Sequence, residues 1–401
     1  MAGKPGVVSL LNSMGARQAM NRIEGFALGT AFLLHSRGSG ALLSSNGFGR
    51  DIYDALRADP ELPEVTAKIA RQHGVAPSDA APLVEEVISQ WQAAGLFRQG
   101  MCPFVAPVAY RVPHTGEPQT FRLGDRYVTL RCEDPQLSEQ IAASLAEYAA
   151  PAQEMPEDGG ATVLIDVIIA AEGEADAEEE YGVFRGREPV WGRAPQDLTR
   201  FHIIRECMDH LCTPSRVAAH LHAAAVAEEG RAVILAGGSG RGKTTLAMGL
   251  LAAGGALAAD DHVALSVDGR HMLAFPAASA VKRGAWDLPQ AQALGLAAGA
   301  AASPRDGVRY LRPPRRVPAA APVAVAAIVF PEYGGAGAAN SLARLDPAEA
   351  LTRLIQTGGR VSRRNPSLAP LVALLERVPC YELRYGSTRY SVETCQSLLA
   401  R

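Results

Sequence analysis

The stretch Arg231-Ala232-Val233-Ile234-Leu235-Ala236-Gly237-Gly238-Ser239-Gly240-Arg241-Gly242-Lys243-Thr244-Thr245-Leu246 decides the fold of the larger part of the chain. Ala232 to Ala236 is a short apolar run and reads as a buried strand. Leu246, Ala247, Leu250 and Leu251 then recur at helical spacing. Between strand and helix, Gly237 to Thr244 fills every fixed position of G-x-x-x-x-G-K-[ST], in the strand–loop–helix context that a phosphate loop requires. Glycines let backbone N–H groups converge on phosphate oxygens. The helix N-terminus adds partial positive charge. Lys243 would neutralise the β- and γ-phosphates, and the Thr244 hydroxyl would hold Mg²⁺. The expected ATP-binding set is therefore Gly237, Gly238, Ser239, Gly240, Arg241, Gly242, Lys243, Thr244 and Thr245, with Mg²⁺ as the accompanying ion.

Sixteen residues after Thr244 the chain reads Asp260-Asp261 on or beside the next strand, after a helix that ends near Gly254-Gly255. Beside a phosphate loop, one carboxylate can hold Mg²⁺ and the other can accept a proton from an attacking hydroxyl. Upstream, Ala219-His220-Leu221-His222-Ala223-Ala224-Ala225-Val226 reads as one strand, with His220 and His222 on the same face. If that strand neighbours the loop, one histidine can approach the carboxylates.

The order His222, then Gly237 to Thr245, then Asp260-Asp261 resembles the HPr serine kinase/phosphorylase-like group, whose P-loop core is shared with ATP-dependent phosphoenolpyruvate carboxykinases. The resemblance covers roughly residues 120–401 and is strongest over 218–268. Phe275-Pro276, Lys282, Val325 to Pro331 and Cys380 to Gly386 also fit it. It implies an α/β P-loop kinase core, with Asp260 as general base, Asp261 and Thr244 on the metal side, His222 orienting or charge-pairing the aspartate, and Lys243 on the phosphates. No copy of the phosphorolysis signature of the bifunctional enzymes follows Asp261, and nothing points to HPr itself as substrate.

Outward from this core, the chain divides into a tail (1–19), a first unit (20–98), a proline-containing linker (99–118), an α+β region (119–211) and the loop-bearing domain (212–401). In the first unit Phe26 to His35 reads as a strand, Ser36 to Gly40 as a turn and Ala41 to Leu43 as a second strand. Three helices follow: one opened by Asn46, one marked by Val65 and Ile69 and ended near Gly74, and one opened by Pro82 and ended by Gly95. Two strands and three helices suit a small winged helix. Phe32 to His35, Leu42 to Asn46, Ile52-Tyr53 and Ala94 to Leu96 resemble PqqD-like domains, which recognise the leaders of ribosomally made precursor peptides. The resemblance implies that residues 20–98 capture a leader as a strand added to a sheet edge. Glu85 and Glu86, with no Lys or Arg on the third helix, make a poor surface for nucleic acid.

Composition fits this picture. The net charge of −3 carries no global basic field for nucleic acid or anionic lipid. No run reaches the ~18 apolar residues of a membrane span, and the beginning of the chain has no signal-like apolar core. Six scattered cysteines form no C-x-x-C pair, so a cytoplasmic protein with reduced thiols is expected, Cys207 and Cys212 simply packing. Together the two resemblances imply a cytoplasmic kinase acting on Ser or Thr of a captured precursor peptide, and the kinase resemblance carries the expectation of a homo-oligomer. An ATP-gated peptide scaffold and a small-molecule kinase are the competing expectations.

Overall fold

The computed structural model describes residues 15–98, 108–114, 117–151, 161–170, 179–238, 240–296, 302–303 and 307–401, and reveals a mixed α/β molecule with several sheets. Alternation of apolar residues builds the N-terminal unit: helix α1 (Gly15–Met20), strands β1 (Ile23–Leu28), β2 (Ala31–Ser36) and β3 (Leu42–Ser45), then α2 (Gly47–Ala58), α3 (Leu62–His73) and α4 (Pro77–Ala93). The run Phe26 to His35 is not one strand. Gly29, with φ 55°, starts a two-residue turn, and Leu28 pairs with Ala31 across an antiparallel hairpin. The unit thus has three strands, in the order β1-β2-β3, rather than two. Asn46 caps α2, its Oδ1 accepting from the Gly49 amide at 2.9 Å. Gly74 ends α3 in the left-handed conformation. The third helix begins at Pro77 and not at Pro82, which lies in its second turn. A proline that early removes only one helical hydrogen bond, and the buried Ala80, Val84, Ile88 and Trp91 hold the helix on the core.

The middle region holds β4 (Gln119–Leu123), β5 (Arg126–Cys132), α5 (Pro135–Ser144), β6 (Ala149–Ala150), β7 (Ala161–Ile169), β8 (Glu180–Arg185), β9 (Glu188–Pro195) and α6 (Gln196–Leu211). Its sheet runs β6-β4-β5-β7-β8-β9. Most of α6 is buried, with Ile203, Cys207, Leu211 and the following Cys212 in one core with Val128, Ile165 and Val183. The acidic stretch from Glu172 falls largely outside the described residues, as do Pro103 and Pro107 of the linker.

The C-terminal region contains β10 (Val217–Leu221), β11 (Ala223–Glu228), β12 (Arg231–Ala236), α7 (Lys243–Ala252), β13 (Ala256–Ala259), β14 (Val263–Ser266), β15 (His271–Leu273), β16 (Ser279–Lys282), α8 (Pro289–Ala293), β17 (Ala302–Ser303), β18 (Val308–Leu311), β19 (Pro322–Tyr333), β20 (Ser341–Arg344), α9 (Pro347–Gln356), β21 (Arg360–Val361), α10 (Ala369–Arg377), β22 (Cys380–Tyr385) and α11 (Thr388–Leu399). The large sheet runs β13-β11-β12-β19-β15-β14-β10-β21, with β22 and β20 branching from β19. β19 runs parallel to β12 and to β22, and the other pairings are antiparallel.

Ala219 to Val226 is two strands rather than one. β10 pairs with β14 and β21, whereas β11 pairs with β12 and β13. His222 alone joins them, although four strands separate β10 from β11 in the sheet order. The sheet therefore curls back until its two arms meet at this residue. His220 and His222 consequently do not share a strand face.

The N-terminal unit is seated on this core. Leu28 and Leu33 pack with Leu371, Val372 and Leu375 in one apolar cluster. The Glu24 carboxylate accepts from Ser367 Oγ at 2.7 Å and from the Leu368 amide at 3.0 Å. No helix among the described residues is long and apolar enough to cross a membrane.

Candidate functional site

Gly237, Gly240 and Gly242 have φ of 146°, 79° and 95°, a backbone path that side chains with a Cβ resist. At Gly242 the space is also closed, since a Cβ would lie 2.5 Å from the Tyr385 hydroxyl. At Gly238 and Gly240 an added Cβ would meet nothing, so the loop walls an open cradle. Ser239 lies outside the described residues. β12 delivers the chain to this loop, and α7 leaves it with Lys243 as its first residue. The Lys243 ammonium donates to the carbonyls of Gly237 at 2.7 Å and Gly238 at 3.1 Å. Burial lowers its proton affinity, while the charges of Asp261 and Asp260 act in the opposite direction.

Those two carboxylates occupy the turn between β13 and β14. Asp260 is buried, and its pKa is pushed up to about 7, first by burial and then by the charge of Asp261. A hydrogen bond with Ser279 and the charge of Lys243 oppose the rise. Asp261 adopts φ 59°, and the turn is closed by the His262 amide donating to Asp260 O at 2.7 Å. This left-handed residue turns its carboxylate into a cavity that Asp260 does not line. Asp261 Oδ1 stands 3.9 Å from His222 Nε2, and its Oδ2 stands 3.9 Å from Arg200.

His222 Nδ1 lies 2.9 Å from the Thr357 carbonyl, which can only accept, so this nitrogen carries the proton. Burial and the Lys243 charge lower the histidine's pKa, against Asp261 and Thr357, and favour the neutral ring. Nε2 then presents a lone pair towards Asp261. A neutral imidazole and a carboxylate, both acceptors, leave between them a place for a hydrogen-bond donor.

The cavity has a volume of about 1710 Å³. From Gly240, Lys243, Thr244 and Thr245 it passes Asp261 and His222, then Trp191 and the segment Arg360–Arg364, and reaches Ser39–Leu42 and Arg98 of the N-terminal unit. Lys282 also lines it. The structure thus brings together Lys243, Thr244, Asp261 and His222. It does not bring Arg241 into the cavity: that guanidinium binds Glu332 Oε1 at 2.7 Å on the exposed side of the loop. Gly237 and Gly238 reach the site through their carbonyls to Lys243, outside the cavity lining.

Several residues of this site have no motif in the sequence. Thr357 fixes the histidine tautomer from a helix end 135 positions away. Phe201 lies against His222 and His262, with ring centroids at 5.1 and 4.1 Å. Trp191 stacks on His202 at 3.5 Å, with Arg205 over its ring. Only the run Arg360, Arg363, Arg364 is a visible charge pattern, and nothing in its spacing ties it to the glycine loop. Compared with models of known families and with curated proteins, the chain matches no family model and no curated relative.

Proposed function

We propose that this chain is a P-loop kinase of the HPr-kinase-like type, which transfers the γ-phosphoryl group of ATP to a Ser or Thr hydroxyl of a precursor peptide. The observation that carries the reading is the glycine cradle, with Lys243 at the start of α7 facing the Asp260–Asp261 turn. The residues present fit Mg²⁺ and ATP. The cradle is open at Gly238 and Gly240, and Thr244 and Asp261 both line the cavity. An octahedral Mg²⁺ that keeps its waters needs only one or two such ligands. Bound ATP supplies the transferable phosphoryl group, and Mg²⁺ neutralises its charge.

The chain's own residues divide the remaining work. Lys243 holds charge on the phosphate oxygens, and the first amides of α7 point at the same place. The gap between His222 Nε2 and Asp261 Oδ1 receives the acceptor hydroxyl as a donor. Asp260, with its raised proton affinity, suits a proton acceptor near neutral pH. Because only Asp261 opens into the cavity, the proton reaches Asp260 by way of Asp261 or after the turn at Asp261 shifts.

The N-terminal unit is read as a PqqD-like recognition domain. Among the described residues β3 pairs only with β2, which leaves one edge to accept a leader strand, and Leu42 of β3 lines the same cavity as Lys243. Tethering a leader there raises the local concentration of the core peptide at the carboxylates.

The test is mass spectrometry of candidate precursor peptides after incubation with the full chain, Mg²⁺ and ATP, with Lys243→Ala as control. A gain of one phosphoryl group on Ser or Thr, absent in the control, is expected. ATP and leader binding without transfer to any hydroxyl would overturn the kinase reading in favour of a nucleotide-gated peptide scaffold.

A further inference from the structure

The cavity wall is strongly asymmetric in charge. Ten Arg and Lys residues line it against four Asp and Glu, whereas the whole chain carries −3. Most of the four acids are already answered. Glu206 is paired with Arg185 and Arg205, Asp209 with His220 and Arg185, and Asp261 faces Arg200. Arg360, Arg363 and Arg364 differ. Among the described residues none of them has a carboxylate within 4.0 Å. Arg360 donates to the Ile355 and Gly359 carbonyls and Arg363 to the Val190 carbonyl. Arg363 also lies 5.4 Å from the Trp191 ring centroid. All three line the cavity, Arg363 and Arg364 exposed to it and Arg360 partly desolvated, which lowers its proton affinity.

Their place in the fold narrows the ligand. β21 pairs His220 with Arg360, which sets that residue close to His222 and the carboxylate turn. Arg363 and Arg364 precede Ser367 and Leu368, which receive Glu24 of the N-terminal unit. The three cations therefore line the same cavity as Leu42 of β3 and the acceptor-hydroxyl gap. A cleft of one sign focuses its field on whatever passes through it. Its volume also exceeds the roughly 300–1,000 Å³ of a small-ligand site, which leaves room beside a nucleotide. Mg²⁺-bound ATP answers only part of the positive excess. Guanidinium forks match carboxylates in bidentate geometry.

We propose that this segment reads carboxylates on the peptide whose leader the N-terminal unit holds, so that the substrate is an acidic peptide. The carboxylates come from Asp and Glu side chains or from the peptide's own C-terminus. The proposal rests on the peptide-kinase reading and adds the substrate class to it.

Anisotropy of fluorescein-labelled hexaglutamate and hexaglutamine, each with a free or an amidated C-terminus, tests this on the full chain. Hexaglutamate is expected to bind at least about tenfold more tightly than hexaglutamine at low salt, a preference that shrinks as salt rises. Amidation separates the two sources, since only a terminal-carboxylate site loses affinity on amidation alone. In Arg363→Gln/Arg364→Gln the preference for hexaglutamate should fall to about twofold or less, while labelled ATP binds as before. Equal binding of the two peptides to the unmutated chain overturns the proposal without relying on any variant folding. Displacement of hexaglutamate by Mg²⁺·ATP in step with nucleotide occupancy also overturns it, by assigning the arginines to the polyphosphate. Phosphoryl transfer is scored separately. Transfer without acidic preference sinks only this proposal, and acidic preference without transfer sinks only the kinase reading.

Discussion

The two ends of the cavity treat charge in opposite ways. At the glycine loop the charged groups have answers inside the fold: Lys243 has two carbonyls and two neighbouring aspartates, Asp261 has Arg200, and Asp260 has Ser279. At the arginine segment Arg360 and Arg363 meet backbone carbonyls, and all three cations line the open cavity with no carboxylate within 4.0 Å among the described residues. A compensated cluster holds its geometry before a ligand arrives, as chemistry requires. An uncompensated one gains most of its partners from the ligand, as recognition requires. The contrast supports a division of labour along one cavity, which substitutions can break.

Lys243→Ala should have the largest effect, lowering phosphoryl transfer by roughly 10²–10³-fold or more, with leader binding by the N-terminal unit unchanged when measured by anisotropy. Gly242→Ala comes next. Its Cβ would press on the Tyr385 hydroxyl at a left-handed φ, so labelled-ATP affinity should fall at least about tenfold, and an unchanged affinity would show that the cradle can rearrange.

Asp260→Asn sharpens the comparison through pH. The carboxyl binds a proton more tightly when folded than when unfolded, where its pKa is near 3.8. Folding therefore takes up a proton between those values, and stability contributed by the protonated form is lost as pH rises towards about 7. The asparagine variant should melt higher than the parent at pH 8 and close to it at pH 4, by calorimetry. It should also lose the rise in transfer rate through neutral pH. If Asp261→Asn instead removes that rise and Asp260→Asn leaves it, Asp261 is the proton acceptor.

The smallest effect is expected at the seat of the N-terminal unit. Glu24 is held below its ordinary pKa by His35, Ser367 and Leu368 against the cost of burial. Glu24→Gln should weaken that seat by about 1–2 kcal/mol, seen as faster amide exchange at Leu368 with basal ATP turnover unaltered.

How much of this the sequence disclosed depends on whether the determinant is local. β12, the glycine loop and α7 stand where the apolar run and the helical spacing put them, because a buried strand and a helix started by glycines are local events. Asn46 and Gly74 were equally legible as helix boundaries. The strand spanning His220 and His222 was misread because Ala and Val satisfy one long strand and two short ones alike. Only the sheet order, a long-range property, separates them. Phe26 to His35 was misread for the opposite reason, since a two-residue turn at Gly29 interrupts apolar residues too briefly to show. Thr357 and Phe201 enter the site through tertiary packing and leave no pattern at all.

The joint at His222 has one more consequence, for insertions and deletions. On β11, Ala223, Ala225 and Ala227 face one apolar core, and Ala224 and Val226 face the other. A strand displaced by one residue exchanges its two faces. His222→Ala would keep the count and change only the chemistry, whereas a residue added or removed there would offer Val226 to a core shaped around alanines. Position 222 is thus a ruler as well as a side chain, and the length of the link constrains this part of the chain independently of what histidine does in the cavity.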